Sequence, residues 1–271
     1  MPPAVHCAVV GDPIGHSLSP VIHRAAYVAT GLDWSYGAER VPAGGLAGFV
    51  AGLDDAWRGL SVTMPLKREA LALGEPVTDR ARLAGAANTL VRRTGGWLAD
   101  NTDLPGAAAA LRERWDGEVA TVTVLGGGAT AATVALAMCD LGARDVRLLV
   151  RSVARGAGTA ALVRRHPAGP TVTTGMLDDP VVGDVVVSTI PSEAQTSELV
   201  TRCSGVPVVF EVRYDPWPTP LAAAAGERVL VTGLDLLVHQ ATHQFSLFTG
   251  VPAPLVEMRR AGAEALAGTS R

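Results

Sequence analysis

Lys67 is the only lysine in a chain of 271 residues that carries 23 lysines and arginines together. Arginine stays protonated across the physiological range, whereas a lysine can be tuned toward neutrality, so a lone lysine among so many arginines is a candidate for proton transfer. It ends the segment Ser61-Val-Thr-Met-Pro-Leu-Lys67, a strand end followed by a proline suited to open a helix. In the first turn of that helix the positive end of the dipole disfavours an ammonium, so the placement predicts a lowered Lys67 pKa. Asparagine is nearly as scarce: Asn88 and Asn101 are the only two, and they follow within a few dozen residues. Gly85-Ala-Ala-Asn88-Thr and Asp100-Asn101-Thr-Asp103 supply amides and carboxylates at loop positions. Asp103 is also placed to cap the alanine-rich helix that follows.

Two further segments have the spacing to hold anions. In Gly11-Asp-Pro-Ile-Gly-His-Ser17-Leu-Ser19-Pro20, Ser19 reads as a helix N-cap and Pro20 as the first helical residue. Ser17 is not needed for that cap, and two hydroxyls at a helix N-terminus suit a carboxylate. Farther on, the apolar run VATVTVL enters Gly126-Gly127-Gly128-Ala129-Thr130 and then a helical stretch. Glycines between strand and helix let the backbone approach a pyrophosphate, and the helix offers its free N–H groups. About 20 residues on, an enzyme using NAD would place an acid against the ribose; here stand Arg151, Ser152 and Arg155. Guanidiniums and a hydroxyl suit a 2′-phosphate, which predicts NADP rather than NAD.

The elements that must position these residues read as alternating strands and helices. Strands are expected at 5–10, 60–64, 119–125, 146–150, 171–174, 184–189, 207–212 and 228–231, with helices over 20–30 and from Pro65. The whole is an α/β chain of two domains: 1–103 with 237–271 for substrate, and 104–236 as a doubly wound, Rossmann-type nucleotide domain. Two domains leave a cleft between them, and the helical tail after Gly233 packs back on the first. The stretch 152–170, rich in alanine, glycine and arginine, reads as mobile.

Composition narrows the partners. With 48% hydrophobic residues and a formal net charge of −3, the chain can bury sizeable cores and lacks the basic excess of a nucleic-acid binder. It shows no export signal and no apolar run of membrane-spanning length, so a cytoplasmic location is expected. Cys7, Cys139 and Cys203 lie far apart and read as small buried hydrophobes. His239 and His243 are four apart, but Gln240 stands where a metalloprotease has its base and no third ligand is in view, so no metal is expected.

The ordered set GDPIGHSLSP, SVTMPLK, GAANT and DNTD, followed by the glycine-rich loop and ERVLVTGLDLLVHQ, resembles shikimate dehydrogenase along the whole length. The resemblance implies NADPH-dependent reduction of 3-dehydroshikimate to shikimate, on the route to chorismate and the aromatic amino acids, by a monomer or homodimer. It implies Lys67 and Asp103 as the catalytic pair, Ser17, Ser19 and Tyr214 at the carboxylate, and Thr63, Asn88, Asn101 and Gln240 near the ring hydroxyls. It adds Thr189 and Gly233 to the cofactor residues. Four positions depart from the family pattern: Ser61 replaces a common Asn, GGGAT replaces GAGGA, Val150 replaces an Asn, and Asp235 replaces a frequent glycine. Glu211 stands where Asp is often found. The rivals are an enzyme preferring quinate, and a non-catalytic NADP-responsive module, against which the retention of both Lys67 and Asp103 argues.

Overall fold

The computed structural model describes residues 5–269, and the chain divides into two compact units, Met1–Thr102 with Leu237–Arg271, and Asp103–Leu236. In the first unit β1 (Val5–Gly11), α1 (Ser19–Thr30), β2 (Trp34–Arg40), α2 (Leu46–Ala51), β3 (Trp57–Val62), α3 (Lys67–Leu73), α4 (Asp79–Ala84), β4 (Thr89–Arg93) and β5 (Gly96–Asp100) follow one another. Among the described residues the sheet runs β2-β1-β3-β4-β5, with β2, β1 and β3 parallel and β4–β5 an antiparallel hairpin.

Period-two alternation sorts the side chains onto two covered faces. Ala8 and Val10 of β1 join Leu60 and Val62 of β3, and pack with Leu46, Val50, Leu66, Ala70 and Ala81 from α2 to α4. The opposite face carries Cys7 and Tyr36, with His23 stacked on Tyr36 at 4.2 Å and Tyr27 at 5.7 Å from Phe245. Three strands were absent from the sequence expectation. β2 is an edge strand whose WSYGAER buries only Tyr36, so alternation barely marks it. β4 and β5 are short, and they enclose the Thr94-Gly95 turn.

In the second unit come α5 (Asp103–Arg114), β6 (Thr121–Leu125), α6 (Ala129–Asp140), β7 (Asp145–Val150), α7 (Val153–Arg164), β8 (Thr171–Met176), β9 (Val185–Ser188), α8 (Ser197–Arg202), β10 (Val208–Glu211), α9 (Pro220–Ala223) and β11 (Val229–Val231). The described sheet is parallel and runs β11-β10-β9-β6-β7-β8. Read from β8, that is the third, second, first, fourth, fifth and sixth strand of the unit, the doubly wound order that opens a crevice where the order reverses. The stretch expected to be mobile folds as α7. Then α10 (Gly233–Thr249) starts in this unit and continues into the first, and α11 (Leu255–Thr269) packs on α1.

His23 carries a pH consequence. It is fully buried, and neither ring nitrogen has a hydrogen-bond partner. Burial pushes its pKa down to about 3, with only the nearby Gln244 side chain pulling the other way. A depressed folded-state pKa means that the unfolded chain binds the proton first, so stability falls as pH drops below the free value of about 6.5. His23→Phe keeps a ring on Tyr36 and removes the titration. We expect it to retain stability at pH 7 and to recover about 3 kcal/mol, in order of magnitude, at about pH 4, measured by urea denaturation across pH. An unchanged acid limb would contradict this.

Candidate active site

The two parallel strands β1 and β3 end side by side, and each hands the chain to one of the motifs. From β1 the chain enters Asp12 to Pro20; from β3 it enters Thr63 to Lys67. The Asp12 amide donates to Met64 O at 3.0 Å, and the Thr63 amide to Val10 O at 2.9 Å. Gly11 must be a glycine, because a Cβ there would meet the Thr63 methyl and lie 2.7 Å from Met64 O. Ser19 is not the N-cap but the first residue of α1, with Leu18 in the cap position and no side-chain cap bond. Ser17 instead accepts the Ser19 amide through its Oγ at 3.3 Å, which holds the two hydroxyl-bearing residues together. The second helix likewise begins later than Pro65: α3 opens on Lys67, still in the first turn.

Lys67 lies beside Asn88, because its carbonyl accepts the Ala87 amide at 2.9 Å. Asn88 is 2% exposed. Its Oδ1 accepts the Thr102 amide and the Thr89 hydroxyl, both at 2.8 Å, while its Nδ2 donates to Thr102 Oγ1 at 3.0 Å and to Gln240 Oε1 at 3.2 Å. Asn101 donates through Nδ2 to Ala86 O at 2.9 Å. Lys67, Asn88, Asn101 and Gln240 are therefore gathered in one locality of the first unit, reached from α3, β4, β5 and α10. From Thr102 the covalent chain carries straight into Asp103, the 8%-exposed residue that opens α5 and the second unit.

Asp100, at the end of β5, has a role that its motif does not disclose. Arg80 donates to it twice, Nε to Oδ1 at 2.6 Å and an Nη to Oδ2 at 2.5 Å, and Thr78 adds its hydroxyl at 2.7 Å. Oδ1 also accepts the Asn101 amide at 2.7 Å, so this carboxylate sets the backbone that carries Asn101. Burial alone would raise its pKa, but the Arg80 and Thr78 hydrogen bonds hold it below the usual carboxylate range. Gln244, one turn beyond Gln240, also escaped the sequence reading; it donates to Asn88 O at 3.0 Å and to Thr89 Oγ1 at 2.9 Å.

In the second unit Gly126, Gly127 and Gly128 follow β6, the strand at which the order reverses, and Thr189 follows the neighbouring β9. Gly126 has φ 118°, and a Cβ there would strike the Thr189 hydroxyl. Gly127 O accepts the Thr159 hydroxyl at 2.7 Å. Gly128 is exposed, and α6 opens at Ala129 and Thr130 with no side-chain cap and no acid in its first turn. Such uncapped amides beside an unobstructed glycine fit a pyrophosphate. Arg151 is exposed directly after β7, and Ser152 caps α7 by position without a cap bond. Arg155 lies on α7, its side chain outside the described residues. Tyr214 follows β10 in this unit, and Gly233 opens α10 against the Val212 carbonyl. Among the described residues no cluster of His, Cys, Asp and Glu has the arrangement of a metal site, and His239 lies 3.3 Å from the Arg259 guanidinium.

The family model for the shikimate dehydrogenase substrate binding domain matches residues 9–90, and that for the shikimate 5′-dehydrogenase C-terminal domain matches 233–261. The shikimate dehydrogenase (NADP(+)) of Geobacter metallireducens is 33% identical over 93% of this chain and 93% of its own length. The chain belongs to the shikimate dehydrogenase family. The crystal structure of the Mycobacterium tuberculosis shikimate dehydrogenase is 40% identical, covers 98% of this chain and 99% of that one, and superposes with a TM-score of 0.85. That of the Thermus thermophilus shikimate 5-dehydrogenase in complex with NADP(H) and shikimate is 28% identical over 96% of this chain and 99% of that one, with a TM-score of 0.86.

Within this shikimate dehydrogenase scaffold two of the departures have a local account. Asp235 and Thr232 form a reciprocal cap on α10, with the Thr232 amide donating to Oδ2 at 2.9 Å and the Asp235 amide to the threonine hydroxyl at 3.1 Å. Its other oxygen accepts Arg114 of α5 at 2.9 Å. Glu211, at the end of β10, is buried, which raises its pKa against hydrogen bonds from the Arg213 amide, Thr219 and Gln195.

Asp100→Asn tests the positioning role of the Arg80 clamp. Arg80 keeps about a third of its side chain in solvent, so the variant is expected to lose roughly 2 kcal/mol rather than the full cost of a buried orphan charge. Because the folded pKa of Asp100 is depressed, its contribution is complete at neutral pH and is lost as pH falls below about 4. The variant should therefore show a shallower acid limb in denaturant titrations, and an unchanged limb with unchanged stability would refute the clamp.

Proposed function

We propose that this protein is a shikimate dehydrogenase that interconverts 3-dehydroshikimate and shikimate with NADPH and NADP, a step toward chorismate and the aromatic amino acids. The supporting observation is the gathering of Lys67, Asn88, Asn101 and Gln240 around the ends of β3 and β5 in a chain of this family. The name of the Geobacter relative specifies NADP(+), and the Thermus relative was crystallised with NADP(H) and shikimate.

NADPH, when bound, supplies hydride to the carbonyl carbon. What the chain must supply is a proton for the carbonyl oxygen and a hold on the ring. Lys67 is the acid in reduction and the base in oxidation, and Asp103 is the carboxylate that acts with it. Ser17, Ser19 and Tyr214 receive the substrate carboxylate, with Thr63, Asn88, Asn101 and Gln240 near the ring hydroxyls. Gly126, Gly127, Gly128, Ala129 and Thr130 hold the pyrophosphate, with Thr189 and Gly233 lining the nucleotide, and Arg151, Ser152 and Arg155 take the 2′-phosphate. The substrate unit is 1–103 with 237–271 and the nucleotide unit 104–236.

The enzyme we propose is cytosolic and works as a monomer or homodimer. Its cysteines fit a reducing compartment, since Cys7, Cys139 and Cys203 are free and buried. Among the described residues no helix is long and apolar enough to cross a membrane.

Shikimate-dependent reduction of NADP, followed at 340 nm beside quinate and NAD, tests the activity; a higher kcat/KM for quinate with NAD would overturn it. Lys67→Met should lower kcat by about 10²- to 10⁴-fold with NADP affinity intact, and an unchanged kcat removes Lys67 from the chemistry. Arg151→Asp should raise the NADP dissociation constant at least about tenfold while leaving NAD affinity near its starting value, as read by fluorescence titration. Equal weakening for both cofactors would dissociate Arg151 from the 2′-phosphate.

A further inference from the structure

A line of buried hydrogen bonds runs from β2 to the substrate locality, and fixed backbone groups determine the sense of each link. The Thr102 amide can only donate, so the atom of Asn88 that faces it is Oδ1, and Nδ2 is turned to Gln240. The carbonyl of Asn88 can only accept, so Gln244 turns Nε2 to it and Oε1 to Ser61. The Ser61 hydroxyl therefore donates to Gln244, at 2.6 Å, and takes its own proton donor from the Tyr36 hydroxyl, with which it makes a short contact. Gln244 also donates to Thr89, whose proton goes to Asn88 Oδ1. At the far end the Leu237 carbonyl accepts from Gln240 Nε2 at 2.9 Å, while Gln240 Oε1 receives Asn88. Both Nδ2 protons of Asn88 have protein acceptors, Thr102 and Gln240. Gln240 has one proton left on Nε2.

We propose that Tyr36, Ser61 and Gln244 are positioning residues that lock Asn88 and Gln240 in one amide sense, so that Gln240 meets the substrate as an N–H donor and not as an acceptor. The inference rests on the shikimate dehydrogenase reading and adds a specificity rule to it. A ring oxygen with free lone pairs is accepted at Gln240, and a ligand group that can only donate there is rejected, because turning the Gln240 amide would set two nitrogens face to face across Asn88. Ser61 gains a purpose from this order. Its short hydroxyl is 4% exposed, and it links Tyr36 on one side to Gln244 on the other.

A double-mutant cycle on the shikimate KM separates positioning from bulk stability. Gln244→Met alone should raise KM about tenfold, with kcat within about twofold and NADP affinity unchanged. In a Gln240→Met background the same change should raise KM by less than about twofold, because the contact through which Gln244 acts is already gone. Ser61→Ala deletes the proton given to Gln244, together with the acceptor for Tyr36, and carries the same cycle if Gln244→Met is insoluble; Ser61→Thr, which restores the hydroxyl, should recover the native KM. Additive effects in the two backgrounds, or an unmoved KM, would overturn the inference. Wild-type protein that fails to reduce NADP with shikimate would instead bring down the functional reading itself, before any variant is made.

Discussion

The side chain of Asn88 joins three stretches of chain that are far apart in sequence. It sits at the head of β4, accepts the amide of Thr102 after β5, and donates to Gln240 on α10. At 2% exposure there is no solvent to replace a lost partner, and each orphaned buried polar group costs about 1–3 kcal/mol. The hairpin β4–β5, Thr102 just after it and the middle of α10 are thus held to one geometry by a single amide. Lys67 shares that geometry through the adjacent Ala87 amide. Local propensity would leave these segments free to slide; a buried network with donors and acceptors matched does not.

The second unit meets a different constraint. Its parallel sheet is covered on both faces, so the crevice available to a ligand lies at the carboxyl ends of the strands, where the order reverses between β6 and β9. The loops after those two strands are the glycine run and Thr189, and they pack so closely that Gly126 admits no side chain. Helix α6 then presents its uncapped amides to the same place. Charge is supplied by the neighbouring strand, since Arg151 follows β7 without an acid before it.

Two buried titratable groups of the first unit are held in opposite charge states. Asp100 is held ionised by Arg80 and in turn holds the Asn101 amide. His23, by contrast, is kept neutral by burial and contributes a stacked ring under Tyr36. One carboxylate and one imidazole, both in the first unit, thus make acidification destabilising for opposite reasons: the first must gain a proton to lose its partner, the second must gain one in a place that cannot solvate it.

Much of this was readable from the chain alone. The lone lysine, the paired serines, the two asparagines and the glycine run between strand and helix are matters of residue type and short spacing, and backbone hydrogen bonding acts over just such distances. The parallel strands of the second unit announced themselves as short apolar runs for the same reason. What the chain did not disclose are the edge strand β2, the clamp between Arg80 and Asp100, and the line from Tyr36 through Ser61 and Gln244 to Asn88. Ser61 reads in sequence as a departure from the family pattern, and Gln244 as one more residue on a helix. Their partners lie 25 and 183 residues from Ser61, and no periodicity spans such gaps. Only the folded unit decides them, because burial obliges each polar atom to find a partner wherever the chain has brought one.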